Sequence, residues 1–121
     1  MDEEKLFLKG IENFNKLKFY DAHECWEEIW TVISIPDDKF FQALIQLSVA
    51  YFHITNQNLK GAKSLFKKSL DKLTDFTPFH RGIDINYIII KAEESLEMLN
   101  KNSSTKNFNW DIAPQIIINN D

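Results

Sequence analysis

The stretch Phe40-Phe41-Gln42-Ala43-Leu44-Ile45-Gln46-Leu47-Ser48-Val49-Ala50-Tyr51-Phe52-His53-Ile54 decides the fold. Leu44, Leu47, Tyr51 and Ile54 recur at the helical period on one side, while Phe41, Ile45, Val49 and Phe52 cover much of another. A helix that is apolar nearly all round belongs at the centre of a bundle. Its one polar strip is narrow. Gln42, Gln46 and His53 fall at i, i+4 and i+11, which at 100° per residue spans about 40°. These three side chains share a direction, and the reading places them inside the protein.

Outward from this helix, the few breakers mark the element ends: Gly10, Pro36, Gly61, Pro78, Gly82 and Pro114. Apolar spacing between them predicts five helices, over residues 3–17, 20–34, 37–57, 59–74 and 84–100. The first carries Leu6, Gly10, Phe14 and Leu17. The second has Phe19, Ala22, Trp26, Ile29, Trp30 and Ile33 on one face. Pro36-Asp37-Asp38 is a start signal for the third, with Pro near the first turn and acids at the positive end of the dipole. The fourth turns Leu59, Ala62, Phe66, Leu70 and Leu73 inward and Lys60, Lys63, Lys67 and Lys68 outward. Asp84 is the expected N-cap of the fifth. The expected fold is therefore all-α: one five-helix bundle of antiparallel hairpins around a buried third helix.

After Asn102-Ser103-Ser104-Thr105 the helical period fades, yet Phe108, Trp110 and Ile116-Ile117-Ile118 are too apolar to lie free in water. Residues 1–105 are read as the bundle, and 106–121 as an extended C-terminal tail docked on it or on a neighbouring molecule.

Composition narrows the function without naming it. The chain has 121 residues, 14 Lys+Arg against 18 Asp+Glu, and a formal charge of -4. Its size suits one domain with a real core. The single cysteine, Cys25, excludes a disulfide framework. With no signal-peptide pattern at the N-terminus, it points to a cytoplasmic compartment. No run approaches the ~20 apolar residues of a spanning helix, so no membrane role is expected. The acidic balance argues against nucleic acid as a partner. Three Trp and ten Phe in so short a chain also admit a homodimer.

The segment richest in reactive groups is Tyr20-Asp21-Ala22-His23-Glu24-Cys25-Trp26-Glu27-Glu28-Ile29-Trp30. On a helical projection His23 borders the apolar stripe, and Glu27 lies one turn away, within reach. A buried imidazole or carboxylate needs partners. The polar strip of the third helix is the obvious source, which predicts an internal cluster of His23, Glu24, Glu27, Gln42, Gln46 and His53. Three readings of that cluster stay open. It is a closed hydrogen-bond network that fixes helix register. It is a site for a small polar ligand or a divalent metal, with His23, Glu27 and His53 as the metal-ligating set. Or His23 is a general acid/base oriented by Glu27. His-Glu-x-x-Glu is neither the zinc-protease motif nor the di-iron bundle pattern. No nucleophile or phosphate loop accompanies it, so the balance tilts against an enzyme.

Other groups read as structural. Cys25 has acidic neighbours and no activating cation. The lysines of the fourth helix read as a solvated face. His80 and Arg81 sit in a loop that reads as a capped turn or an anion site. Residues 13–30 and 53–70 also align at an offset of about 40, matching Phe19 to Leu59, Ala22 to Ala62, Trp26 to Phe66 and Trp30 to Leu70. The offset differs from the 34-residue tetratricopeptide period and the usual Trp-Leu-Gly is missing, so the match reads either as the ordinary likeness of two amphipathic helix pairs or as a second function, a tetratricopeptide-like protein–protein interaction module without catalytic activity.

The pattern Ala22-His23-Glu24-x-x-Glu27-x-x-Trp30, followed by Phe41-Gln42-Ala43-Leu44-Ile45-Gln46-Leu47, resembles the domain-of-unknown-function family numbered 309. Tyr51-Phe52-His53, Asn58 with Gly61-Ala62, and Gly82-Ile83-Asp84 extend the resemblance over residues 10–100. The family pattern has Gly where this chain has Ala43. The resemblance implies a small all-helical protein of bacteria, archaea or plastids, hence cytoplasm or plastid stroma, and implies no reaction. Its motif positions fall here on His23, Glu24, Glu27, Trp30, Gln42, Gln46 and His53.

Overall fold

The computed structural model describes residues 2–32 and 37–119. Its helices are α1 (Glu3–Asn15), α2 (Phe19–Val32), α3 (Asp38–Thr55), α4 (Leu59–Leu73) and α5 (Ile85–Asn102). The all-α expectation holds, and the described helix ends fall within two residues of those read from the spacing. Ile33 and the start signal at Pro36 lie outside the described residues.

Local chemistry explains most boundaries. Asp2 caps α1 by accepting from Lys5 N at 2.8 Å, Asn58 caps α4 through Gly61 N at 2.9 Å, and Asp84 caps α5 through Tyr87 N at 3.0 Å. The first two helix pairs close with the same turn. Lys18 N donates to Asn13 O at 2.8 Å, and Asn58 N donates to His53 O at 2.8 Å. Leu17 and Gln57 both take the left-handed conformation, at φ 62 and φ 60. These are six-to-one Schellman turns, and corresponding residues are forty positions apart. The two helix pairs thus share one turn geometry at the same offset of forty residues.

α3 packs against α2 on one side and α4 on the other, with α1 against α2 and α5 against α4. Phe40, Leu44, Leu47 and Tyr51 of α3 are fully buried on the core side. There Tyr51 meets Phe14 of α1 edge-on at 5.9 Å, and its hydroxyl pairs with Ser95 of α5 at 2.8 Å. Burial pushes the Tyr51 phenol well above its ordinary pKa, so it stays protonated and available to that bond.

Two features were not legible. A short hairpin of β1 (Phe79–His80) and β2 (Ile83–Asp84) precedes α5. Its two turn residues, Arg81 at φ 50 and Gly82 at φ 78, give the primed turn that matches strand twist. The tail is not wholly extended either: Trp110–Ile112 forms one 3-10 turn, capped by Asn109. Among the described residues no helix is long and apolar enough to cross a membrane.

Candidate functional site

The tail occupies the core side of the helical layer. Trp110 stacks on Phe19 at 5.7 Å and tilts against Tyr51 at 6.2 Å, while Phe108 meets Tyr51 at 6.3 Å. Phe108 and Ile116 are buried. Asn15, at the end of α1, holds the backbone here. Its Nδ2 donates to Ile116 O at 2.9 Å, and its Oδ1 accepts from Ile116 N at 2.7 Å. One side-chain amide thus supplies both bonds that a neighbouring strand would supply. Farther on, Ile118 bridges Ile83, and Asn119 N donates to Gly82 O at 2.7 Å. A Cβ on Gly82 would come within 2.9 Å of Ile118, so this close approach requires glycine as well as its positive φ. Beside the tail, at the α1–α2 turn, lies a cleft of about 470 Å³ lined by Leu17, Phe19, Ile54 and Trp110 among others.

The polar strip lies on the opposite side of α3. Ser48 donates to the Phe19 carbonyl of α2, and Ser69 of α4 donates to the Ala43 carbonyl. These bonds put α2 and α4 on two flanks of α3, with the core on a third. Gln42, Ile45, Gln46, Val49, Phe52 and His53 face the remaining sector, and all six are half-buried. This corrects the expectation of a sealed internal cluster. A projection orders residues around one helix, but it does not say which sector a neighbour covers.

Within that sector the structure joins some expected members and separates others. His23 and Glu27 come together, Nε2 to Oε2 at 3.5 Å, with side chains 16% and 50% exposed. The His23 Nδ1 donates to the Tyr20 carbonyl of its own helix at 2.7 Å. Glu24 and Trp30 point to solvent. His53 belongs to the α3–α4 turn instead. Its Nδ1 lies 3.4 Å from Asn58 Nδ2, and its ring rests on Gly61, where a Cβ would be 3.0 Å away. From one imidazole to the other the path runs ring by ring: His23 to Tyr20 at 4.9 Å, Tyr20 to Phe52 at 5.4 Å, Phe52 to His53 at 6.3 Å. The structure does not gather the expected metal-ligating set His23, Glu27 and His53 at one point. No group of three His, Cys, Asp or Glu gathers as metal ligands would among the described residues. Gln46 Oε1 is buried without a hydrogen-bond partner there.

Sequence reasoning missed a charge network at the β-hairpin. Asp37 Oδ2 accepts from His80 Nε2 and from Arg81 Nε, both at 2.7 Å, and Arg81 Nη2 donates to Glu3 Oε1 at 2.7 Å. The guanidinium lies over Phe41 at 4.8 Å and Phe7 at 5.4 Å. Burial alone would raise the Asp37 carboxyl. The bonds from Arg81 and His80 outweigh it and hold the group below the usual carboxylate range. Arg81 already faces two carboxylates, so this loop is a clasp between α1, α3 and the hairpin rather than an anion site. Asp37 caps nothing with its side chain for the same reason. Burial pushes the Cys25 thiol up, which fits its reading as an inert helix residue.

Two α-hairpins in tandem, a fifth helix and the chain's own tail on the core side define a small all-helical protein. Residues 7–65, which span both hairpins as far as the middle of α4, match the model of the family described as Domain of unknown function (DUF309). No curated protein matches the chain.

Proposed function

We propose that the protein is a non-catalytic peptide-binding module whose inner face, lined by Asn15, Phe19 and Tyr51, receives an extended apolar segment. One observation carries this reading: Asn15 holds the Ile116 backbone from both sides while aromatic rings receive Phe108 and Trp110. Backbone bonds plus side-chain pockets are how extended peptides are recognised in general, and stacked helical hairpins use their inner surfaces in this way. The tail is then an occupant in cis, and a partner segment of the same pattern displaces it. The lone, unactivated thiol fits action in a reducing compartment such as the cytoplasm.

The test is a titration in trans. A chain ending at residue 105 is expected to bind a synthetic peptide of residues 106–121 with a Kd of about 1–100 µM. Asn15→Ala should weaken that binding about tenfold, by removing two backbone bonds. Should the shortened chain fail to keep its helical circular dichroism, the full chain carrying Trp110→Ala and Ile116→Ala serves instead. A folded groove that ignores the peptide overturns the proposal.

A further inference from the structure

The face opposite the tail carries a separate message. α2 bears Asp21, Glu24, Glu27 and Glu28 with no lysine or arginine, whereas α4 bears Lys60, Lys63, Lys67, Lys68 and Lys72 against Asp71 alone. Glu24, Glu27 and Glu28 are exposed, and so are Lys60, Lys67 and Lys68. Of all these groups only Glu27 takes part in an ion pair among the described residues, with His23. A surface that merely stays soluble intersperses its signs. Here two parallel helices flanking α3 carry opposite signs, with the half-buried sector of Ile45, Val49 and Phe52 recessed between them.

We infer that this face binds a second copy of the chain, through a twofold axis running along α3. That rotation keeps the helix direction and exchanges left with right. It lays the acidic ridge α2 of one copy on the basic ridge α4 of the other, and does so twice at once. The contact is isologous and closes as a dimer, instead of growing into a filament. Ridge lengths match. Residues 21–28 and 60–68 rise about 11 and about 12 Å at 1.5 Å per residue. A twofold axis across the helices would set α2 against α2, acid on acid, and is excluded by repulsion. Tyr20 and Trp30, 51% and 40% exposed, stand at the two ends of the acidic ridge. A cleft of about 530 Å³ along Leu59, Lys60, Lys63 and Lys67 offers lysine stems and a leucine to receive such rings. The dimer uses the face away from the tail groove, so it stands or falls independently of peptide binding.

Sedimentation equilibrium on the full chain tests it. The expected result is a dimer at about 50 mM salt that weakens at least about tenfold by about 500 mM, as screening predicts. Glu24→Lys with Glu28→Lys makes both ridges basic, and Lys60→Glu with Lys67→Glu makes both acidic. Each double variant alone should be monomeric, and an equimolar mixture should form a heterodimer. Every change is on an exposed side chain, and circular dichroism verifies that each variant is folded. A wild-type chain that stays monomeric at low salt, or folded variants that fail to pair on mixing, overturns the inference.

Discussion

Replacing Trp26 by alanine is expected to lower the stability of the protein by about 3–5 kcal/mol, the usual range for emptying a large buried aromatic site. Trp26 is fully buried in the middle of α2. Its indole lies across α1 where Gly10 leaves no side chain, and a Cβ there would sit 2.3 Å from Nε1. The same Nε1 donates to the Phe7 carbonyl at 3.2 Å. Truncation thus removes the packing, opens a cavity that two rigid helices cannot close, and takes a donor from a buried carbonyl. Urea unfolding at pH 7 measures the loss. A cost under about 1 kcal/mol would mean that the α1–α2 contact is not tightly formed.

The second large effect concerns the clasp. Arg81→Ala is expected to cost about 2–4 kcal/mol at pH 7, because it leaves Asp37 and Glu3 partly buried without their cation and uncovers Phe7 and Phe41. The pH dependence separates charge from packing. Asp37 is depressed in the folded state, so its contribution is complete above the ordinary carboxylate pKa of about 4 and is lost as pH falls through the lower folded value. Without Arg81 only His80 opposes burial, so this carboxyl is less depressed and the acid-labile share shrinks. Urea midpoints of the two proteins should therefore differ most at pH 7 and converge toward pH 2. A gap that does not change with pH would assign the whole effect to lost ring packing.

How much of this could be read in advance follows from the range of each interaction. Helix ends were legible because their causes are local: Asp84 acts three residues away, on Tyr87 N. The offset shared by the two helix pairs was legible in Ala22 and Ala62, which recur where helices approach closely. The clasp was not, because Arg81 meets Glu3 and Asp37, residues far from it in the chain and without periodicity to betray them. Asn15 escaped for the same reason. Its side chain looks like an ordinary helix-terminal amide until residue 116 returns to it. The polar strip shows a different failure. Gln42, Gln46 and His53 do share a direction, but three neighbours cover the other sectors of α3, so the strip faces the partly open side. His53 is then held by Asn58 at the next turn, away from His23.

The ligand-like state of the tail is most directly tested by native-state amide hydrogen exchange. If the tail occupies a groove, the amides of Ile116 and Asn119 exchange through a local opening. They should be protected, yet exchange at a lower opening free energy than the amides of α3, and Asn15→Ala should accelerate them while leaving α3 unchanged. Exchange of Ile116 only through global unfolding, at the same free energy as α3, would contradict this, since the tail would then be an inseparable part of the core. No protection at Ile116 would contradict it from the other side.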